Sequence, residues 1–136
     1  MHNGSCCCGA VRFTVSQPPS MMATCHCTRC RKVGAATFVF VDRDAFTLVA
    51  GEGDIAFYRP ESGYRYSRSF CARCGTSLGE IGEAIEGDGG SFPVPANCFD
   101  DPLDLNVRFH EFVAEKPAWL AICDDAKQFA HHPVKG

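Results

Sequence analysis

The chain has 136 residues, the length of one ordinary globular domain. Hydrophobic residues make up 46% and charged residues 21%, a balance that excludes an intrinsically disordered protein. The formal net charge is −3, so the basic excess typical of nucleic-acid-binding domains is missing and a nucleic-acid partner is not expected.

Short strands separated by glycine and proline are predicted along the chain. Between residues 10 and 16, Val11, Phe13 and Val15 alternate with other residues, which predicts a strand with one buried face. Further strands are predicted at residues 37–41, 46–49, 55–58, 64–70 and 91–97. Residues 76–81 lead away from the C-x-x-C pair at 71 and 74, and residues 107–113 are expected to be a late strand or an extended segment. Pro93 and Pro95 restrict the strand that contains them to the edge of a sheet.

The other segments favour turns and loops. A short helical turn is predicted at residues 28–33, and residues 80–90, which are acidic and rich in glycine, predict a surface loop. Short strands with frequent turn residues are typical of an all-β domain. We expect residues 1–130 to form one domain and residues 131–136 a C-terminal tail.

The location of the protein is predicted from two features. No apolar run approaches the roughly 18 residues of a membrane span, and residues 1–9 lack the basic start and apolar centre of a signal peptide. We therefore expect a cytoplasmic protein with no membrane partner. In that compartment, clustered cysteines bind metals or do chemistry more often than they form disulfides.

Ten cysteines are the unusual feature of the composition, and seven of them are clustered along the chain. The three groups are Cys6 and Cys8; Cys25, Cys27 and Cys30; and Cys71 and Cys74. Zinc is the metal ion that such thiolate clusters typically bind, because it is borderline-soft and redox-inert. A C-x-x-C pair presents both sulfurs from a tight turn, and a C-x-C pair presents them from an extended segment.

The spacing allows two partitions of the seven sulfurs. In the first, Cys6, Cys8, Cys71 and Cys74 close a structural zinc site. Cys25, Cys27 and Cys30 then form a catalytic site whose fourth position is open to water or substrate. In the second, Cys27 and Cys30 join Cys71 and Cys74 in a zinc ribbon, although the 40 residues between the pairs exceed the usual ~15–20. The spacing alone leaves both partitions open.

Several motifs occur in an order that resembles a known family. The cysteine motifs are residues 4–9 (GSCCCG), 25–32 (CHCTRCRK) and 70–76 (FCARCGT). The C-terminal motifs are residues 100–102 (DDP), 108–113 (RFHEFV), 116–119 (KPAW) and 124–129 (DDAKQF). Together they resemble the glutathione-dependent formaldehyde-activating enzyme family across nearly the whole chain.

The resemblance implies a fold, two metals and a reaction. The fold is a mainly β, β-tent (Mss4-like) fold of several small antiparallel sheets held by zinc. The resemblance assigns the structural zinc to Cys6, Cys8, Cys71 and Cys74, and a second, labile zinc to the catalytic residues Cys25, Cys27 and Cys30. The implied reaction is of the carbon–sulfur lyase type and joins glutathione, or a related thiol, to formaldehyde to give S-hydroxymethylglutathione.

Two other functions are compatible with the same residues. A non-catalytic zinc module could bind another protein or, as in the centromere protein V relatives, chromatin. A sulfoxide-reductase-like enzyme would need a redox thiol and a resolving partner, for which Cys98 or Cys123 could serve. As the simpler alternative, both cysteines are expected to be buried thiols, and Cys98 could also supply a fourth ligand to the Cys25 site.

Residues beside the cysteines have expected roles of their own. Cys7, between two candidate ligands, is expected to face away from them as a core thiol or a reactive spare thiol. His26 is expected either to contact substrate or transfer a proton, or to be a surface or supporting histidine. His110 is expected to be a hydrogen-bonded buried histidine, and Trp119 a core residue. Three cations beside the Cys25 group, Arg29, Arg31 and Lys32, would attract the carboxylates of glutathione.

Overall fold

The computed structural model of the chain describes residues 1–59, 67–87 and 90–133. The described part contains eleven short strands, two short helices and four 3-10 turns. The strands are β1 His2–Ser5, β2 Arg12–Val15, β3 Met22–Cys25, β4 Thr37–Asp42, β5 Phe46–Ala50, β6 Ile55–Tyr58, β7 Arg68–Cys71, β8 Ser77–Gly79, β9 Ser91–Pro95, β10 Val107–Glu111 and β11 Lys127–Gln128. The helices are α1 Thr28–Val33 and α2 Gly82–Glu86. The prediction of a mainly β fold of several small sheets is confirmed.

The strands form three sheets. Two are antiparallel and three-stranded, with the orders β1-β2-β5 and β6-β7-β8. The third has the order β11-β10-β3-β4-β9 and is mixed, because β10 runs parallel to both of its neighbours. Parallel pairing requires a long connection, and most of the chain lies between β3 and β10.

The inner faces of the three sheets converge on one hydrophobic core. Phe13 of β2 is at its centre, stacked on Phe46 at 5.2 Å and in edge contact with Phe99 at 5.5 Å between ring centroids. Leu78 of β8 and Val39 of β4 are fully buried in the same core. Each sheet therefore contributes one apolar face, as the alternation at Val11, Phe13 and Val15 predicted.

Most predicted strands are present within a few residues of their expected bounds. The strand expected at residues 55–58 is β6, and the proline-containing strand β9 is at a sheet edge, as its missing amide donors require. The strand expected at residues 64–70 is observed from Arg68, and residues 64–66 lie outside the described residues. The sequence analysis did not predict β1, β3, β8 and β11, which have only four, four, three and two residues.

The segment predicted as a loop at residues 80–90 contains the helix α2, so that prediction was wrong for its first half. Ile81 is fully buried, and Ala84 and Ile85 pack against the same core. Their spacing is that of one helical face, a signal hidden by the surrounding glycines. Neither helix of the described residues is long and apolar enough to cross a membrane.

The contact between β1 and the core gives a test of the fold. A methyl group at Gly4 would overlap the ring of Phe13. We therefore expect Gly4→Ala to lower the free energy of unfolding by about 1–3 kcal/mol, since a packed core resists added volume. Gly53→Ala is the matched control, because its methyl group meets no atom within 4 Å. Equal stability of the two variants in urea titrations would contradict this packing.

Candidate metal centres

Four cysteine sulfurs from two distant parts of the chain form a compact cluster. Cys6 and Cys8 follow β1, whereas Cys71 ends β7 and Cys74 lies in the turn after it. The Sγ atoms all lie within 4.8 Å of one another, with 3.6 Å from Cys6 to Cys8 and 3.8 Å from Cys8 to Cys71. A tetrahedral ion with metal–sulfur bonds of about 2.3 Å separates its ligands by about 3.8 Å. The donor set therefore fits a closed zinc-type site.

Each half of this cluster lies on a tight turn that ends at a glycine. The amides of Gly9 and Gly75 donate to the carbonyls of Cys6 and Cys71 at 3.0 and 2.8 Å, and both glycines have φ of 79°. Glycine adopts this left-handed conformation without strain. The turns also aim amides at the sulfurs, since Val11 N lies 3.3 Å from Cys6 Sγ. Such donors stabilise thiolate charge.

A second cluster joins β3 to α1. Cys25 ends β3, Cys27 is the N-cap of α1 and Cys30 lies on the buried side of that helix. Their three Sγ atoms lie within 4.8 Å of one another. The Cys27 sulfur takes the place of a capping oxygen by accepting a hydrogen bond from Cys30 N at 3.4 Å. Capping the helix thus also directs this sulfur toward the other two.

The three sulfurs share charge unevenly. Hydrogen bonds from Cys25 and Cys30 hold the pKa of the Cys27 thiol far below its usual range. The pKa of Cys25 is raised, because its hydrogen bonds to the other two sulfurs favour the protonated thiol. Arg68 of β7 donates from Nη2 to Cys30 Sγ at 3.4 Å, which places a cation beside the cluster. A thiolate-rich site with a neighbouring cation is the environment of a metal ligand set or a nucleophile.

A cavity of about 370 Å³ opens on the second cluster, within the size range of small-molecule sites. The sulfurs of the cluster form part of its lining. The charged lining residues are Arg29, Arg68, Glu80, Glu83 and Glu111, and the aromatic ones are Phe38, Phe40 and Phe92. Burial raises the pKa values of Glu80 and Glu111. The cavity can accept a small molecule that presents a sulfur to the cluster and charged groups to the walls.

His26 is buried beside the sulfurs rather than exposed on the surface. Its Nε2 atom lies 2.8 Å from Nδ1 of His110, which confirms that His110 is a buried, hydrogen-bonded histidine. Burial, together with the nearby cation Lys116, lowers the pKa of His26. No local sequence pattern indicates this contact, because 84 residues separate the two histidines.

The structure groups the seven sulfurs as in the two-site partition and does not bring Cys27 and Cys30 to Cys71 and Cys74. Cys7 belongs to neither described cluster, as expected, but it is exposed, so its alternative assignment as a core thiol was wrong. Metal binding by the seven cysteines stays a prediction at this point.

Three expectations about isolated residues have different outcomes. Cys98 is a buried thiol as predicted, with Sγ 3.1 Å from the carbonyl of Ser77, and burial raises its pKa to about 12. It does not join the three sulfurs as a fourth ligand. Cys123 is exposed and Trp119 is 82% exposed, so the predicted burial of both was wrong. Both follow β10 in a segment that packs little against the core.

Comparison with known proteins agrees with this geometry. Residues 1–115 match the family model described as glutathione-dependent formaldehyde-activating enzyme. The chain belongs to this family. A Halomonas elongata protein, whose name provisionally designates it a glutathione-dependent formaldehyde-activating enzyme, is 32% identical over 131 residues. The match covers 88% of this chain and 79% of that protein.

A solved structure supports the fold independently. The crystal structure of a Rhodobacter sphaeroides protein superposes with a TM-score of 0.60 at 20% sequence identity. The superposition covers 75% of this chain and 91% of that one. The similarity shows a shared fold.

We expect the removal of a cysteine to have different consequences at the two clusters. We expect two zinc ions per chain, falling to one in Cys27→Ala with the fold retained. Cys71→Ala should lose cooperative unfolding, because a structural zinc can contribute ~10 kcal/mol or more to folding. Metal analysis and thermal melts of the same samples measure both effects, with Cys7→Ala as the control. A single zinc in the reconstituted wild type, or an unfolded Cys27→Ala protein, would contradict the assignment.

Proposed function

We propose that the protein is a zinc-dependent enzyme of the carbon–sulfur lyase class. Its substrates would be glutathione or a related thiol and a small carbonyl compound such as formaldehyde, and it would also cleave the resulting adduct. The observation that carries the proposal is the cluster of three sulfurs, within 4.8 Å of one another, on the wall of a cavity large enough for a small molecule. Membership of the family supports a thiol as the substrate.

The donor set suits a metal with one open position. Three thiolates satisfy three corners of a tetrahedron, and the described residues place no fourth cysteine in the cluster. Bound there, zinc would lower the pKa of a substrate thiol and hold the resulting thiolate. Arg68, which donates to Cys30, would offset part of the negative charge that three thiolates bring to the cavity.

The reaction then balances without an oxidant or a reductant. The substrate thiolate attacks the carbonyl carbon and forms a carbon–sulfur bond, while the π electron pair moves to the oxygen. The proton lost by the thiol ends on that oxygen, and the product is a hydroxymethyl thioether. Cleavage is the same sequence reversed.

The charged walls of the cavity would orient the thiol. Glutathione has two carboxylates and one ammonium group. Arg29 and Arg68 would bind carboxylate, and Glu80 and Glu83 the ammonium group. Phe38 and Phe40 supply apolar surface that limits water in the same cavity.

Exchange spectroscopy tests the proposed reaction. In a mixture of glutathione and formaldehyde, the wild-type protein should accelerate exchange between free glutathione and the adduct, as measured by two-dimensional NMR. Cys27→Ala should lose this acceleration because the three-sulfur site is broken, and Cys7→Ala should retain it. Unaccelerated exchange with the fully metal-loaded wild type would contradict the enzyme proposal. It would favour a non-catalytic binding module instead.

A pair of thiols tests the role of Arg68. Arg68→Met should raise KM for glutathione by about tenfold or more, as expected for the loss of a charge-assisted hydrogen bond of ~1.5–3 kcal/mol. KM for cysteamine, which has no carboxylate, should change much less. Arg12→Met, at an exposed position of β2, is the control. An equal rise of KM for both thiols would contradict carboxylate binding by Arg68.

A further inference from the structure

A chain of three polar side chains leads from the surface to the connection between the end of β3 and the first turn of α1, which we call the 25–30 loop. Asp124 lies at the outer end, with its side chain 43% exposed. Both of its carboxylate oxygens lie 3.0 Å from Nε2 of His110, and Nδ1 of His110 lies 2.8 Å from Nε2 of His26. His26 and His110 are only 4% and 6% exposed, and their rings meet edge to edge, with centroids 5.1 Å apart and planes inclined by 26°.

The carboxylate sets the direction of this chain. An ionised carboxylate only accepts hydrogen bonds, so Nε2 of His110 is the donor to Asp124. In a neutral ring, Nδ1 of His110 is then the acceptor, and Nε2 of His26 must donate to it. The chain therefore selects one tautomer for both rings. A metal-site histidine is held by an outer carboxylate in the same manner, although His26 is not itself in the sulfur cluster.

The same stretch of chain holds the loop at two further points. The amide of His26 donates to the carbonyl of Glu111 in β10 at 2.9 Å. Oε1 of Glu115 accepts from both the amide and the hydroxyl of Thr28, at 2.9 and 2.8 Å. Cys27 lies between these attachments and Cys25 directly precedes the first. The strand β10 and the residues after it thus hold the loop through the His26 ring, the His26 amide and Thr28.

We propose that Asp124 and His110 are positioning residues that hold the 25–30 loop, through His26, in the geometry of its metal site. The inference rests on the proposed function, because it assumes that Cys25, Cys27 and Cys30 bind a metal. Three thiolates repel one another, and an open site has no fourth protein ligand to hold them together. Fixing the loop beforehand reduces the entropy lost on metal binding. An apolar contact could fill the same buried space. The presence of a polar chain is explained by the orientation that it imposes on the loop through His26.

Cobalt titration of the apo protein tests the inference, because the thiolate–cobalt absorption reports each site as it fills. Asp124→Asn keeps the size of the side chain but replaces a charged group that can only accept with a neutral amide that can also donate. It should weaken cobalt and zinc binding at the three-sulfur site about 10–100-fold, the usual effect of losing an outer-shell partner. The four-sulfur site should be unchanged and serves as an internal control. Asp124→Glu should restore most of the affinity, and Asp125→Asn should have no effect.

Nitrogen-15 NMR supplies a readout that a general loss of stability would not produce. The wild-type spectra should show both His26 and His110 protonated at Nε2, and Asp124→Asn, whose amide can accept or donate, should populate the other tautomer as well. His110→Gln, as a second variant, should also weaken metal binding only at the three-sulfur site. Each effect is measured on protein whose fold is verified by circular dichroism.

The possible failures are distinguishable. If the wild type binds two metals and Asp124→Asn binds both with unchanged affinity, this inference is overturned and the proposed function stands. Equal weakening of both sites would also overturn it, because the role would then be one of general stability. A wild type that binds no metal at Cys25, Cys27 and Cys30 would overturn the proposed function together with this inference.

Discussion

The close packing of cysteine sulfurs is the constraint on which the rest of the structure depends. Sulfurs 3.6 to 3.8 Å apart, as among Cys6, Cys8 and Cys71, are at the separation that a tetrahedral metal imposes on its ligands. Without a cation, such a group can hold little negative charge before its members repel one another. The four-sulfur cluster also connects the sheet of β1 to the sheet of β7. The four sulfurs can therefore meet only when these two sheets are in their folded positions.

The two clusters differ in how the protein surrounds them. The first is formed by two similar glycine turns whose amides face the sulfurs, and this arrangement suits a structural site. The second lies at a strand end and a helix N-cap, opens on a cavity and has Arg68 beside it. A chain with both arrangements can separate stability from chemistry, since one site completes the fold while the other retains a position for substrate.

Local features of the structure could be predicted from the sequence, and long-range ones could not. Cysteine spacing and the alternation at residues 10–16 depend on neighbouring residues, so they indicated the seven clustered cysteines and β2. The spacing left open which sulfurs meet, because that grouping joins distant parts of the chain. The contacts of His26 with His110, and of His110 with Asp124, join residues 84 and 14 positions apart, and only the folded chain brings them together. Trp119 was misjudged for the same reason, because burial depends on what packs over a side chain.

Zinc X-ray absorption spectroscopy on the reconstituted protein tests the central claim most directly. Seven sulfurs shared by two ions predict a shell at about 2.3 Å with an average of about 3.5 sulfurs per zinc and a lighter ligand completing the second site. A shell dominated by nitrogen or oxygen would contradict the account. So would a full set of four sulfurs around every zinc, because the second cluster would then be closed to substrate.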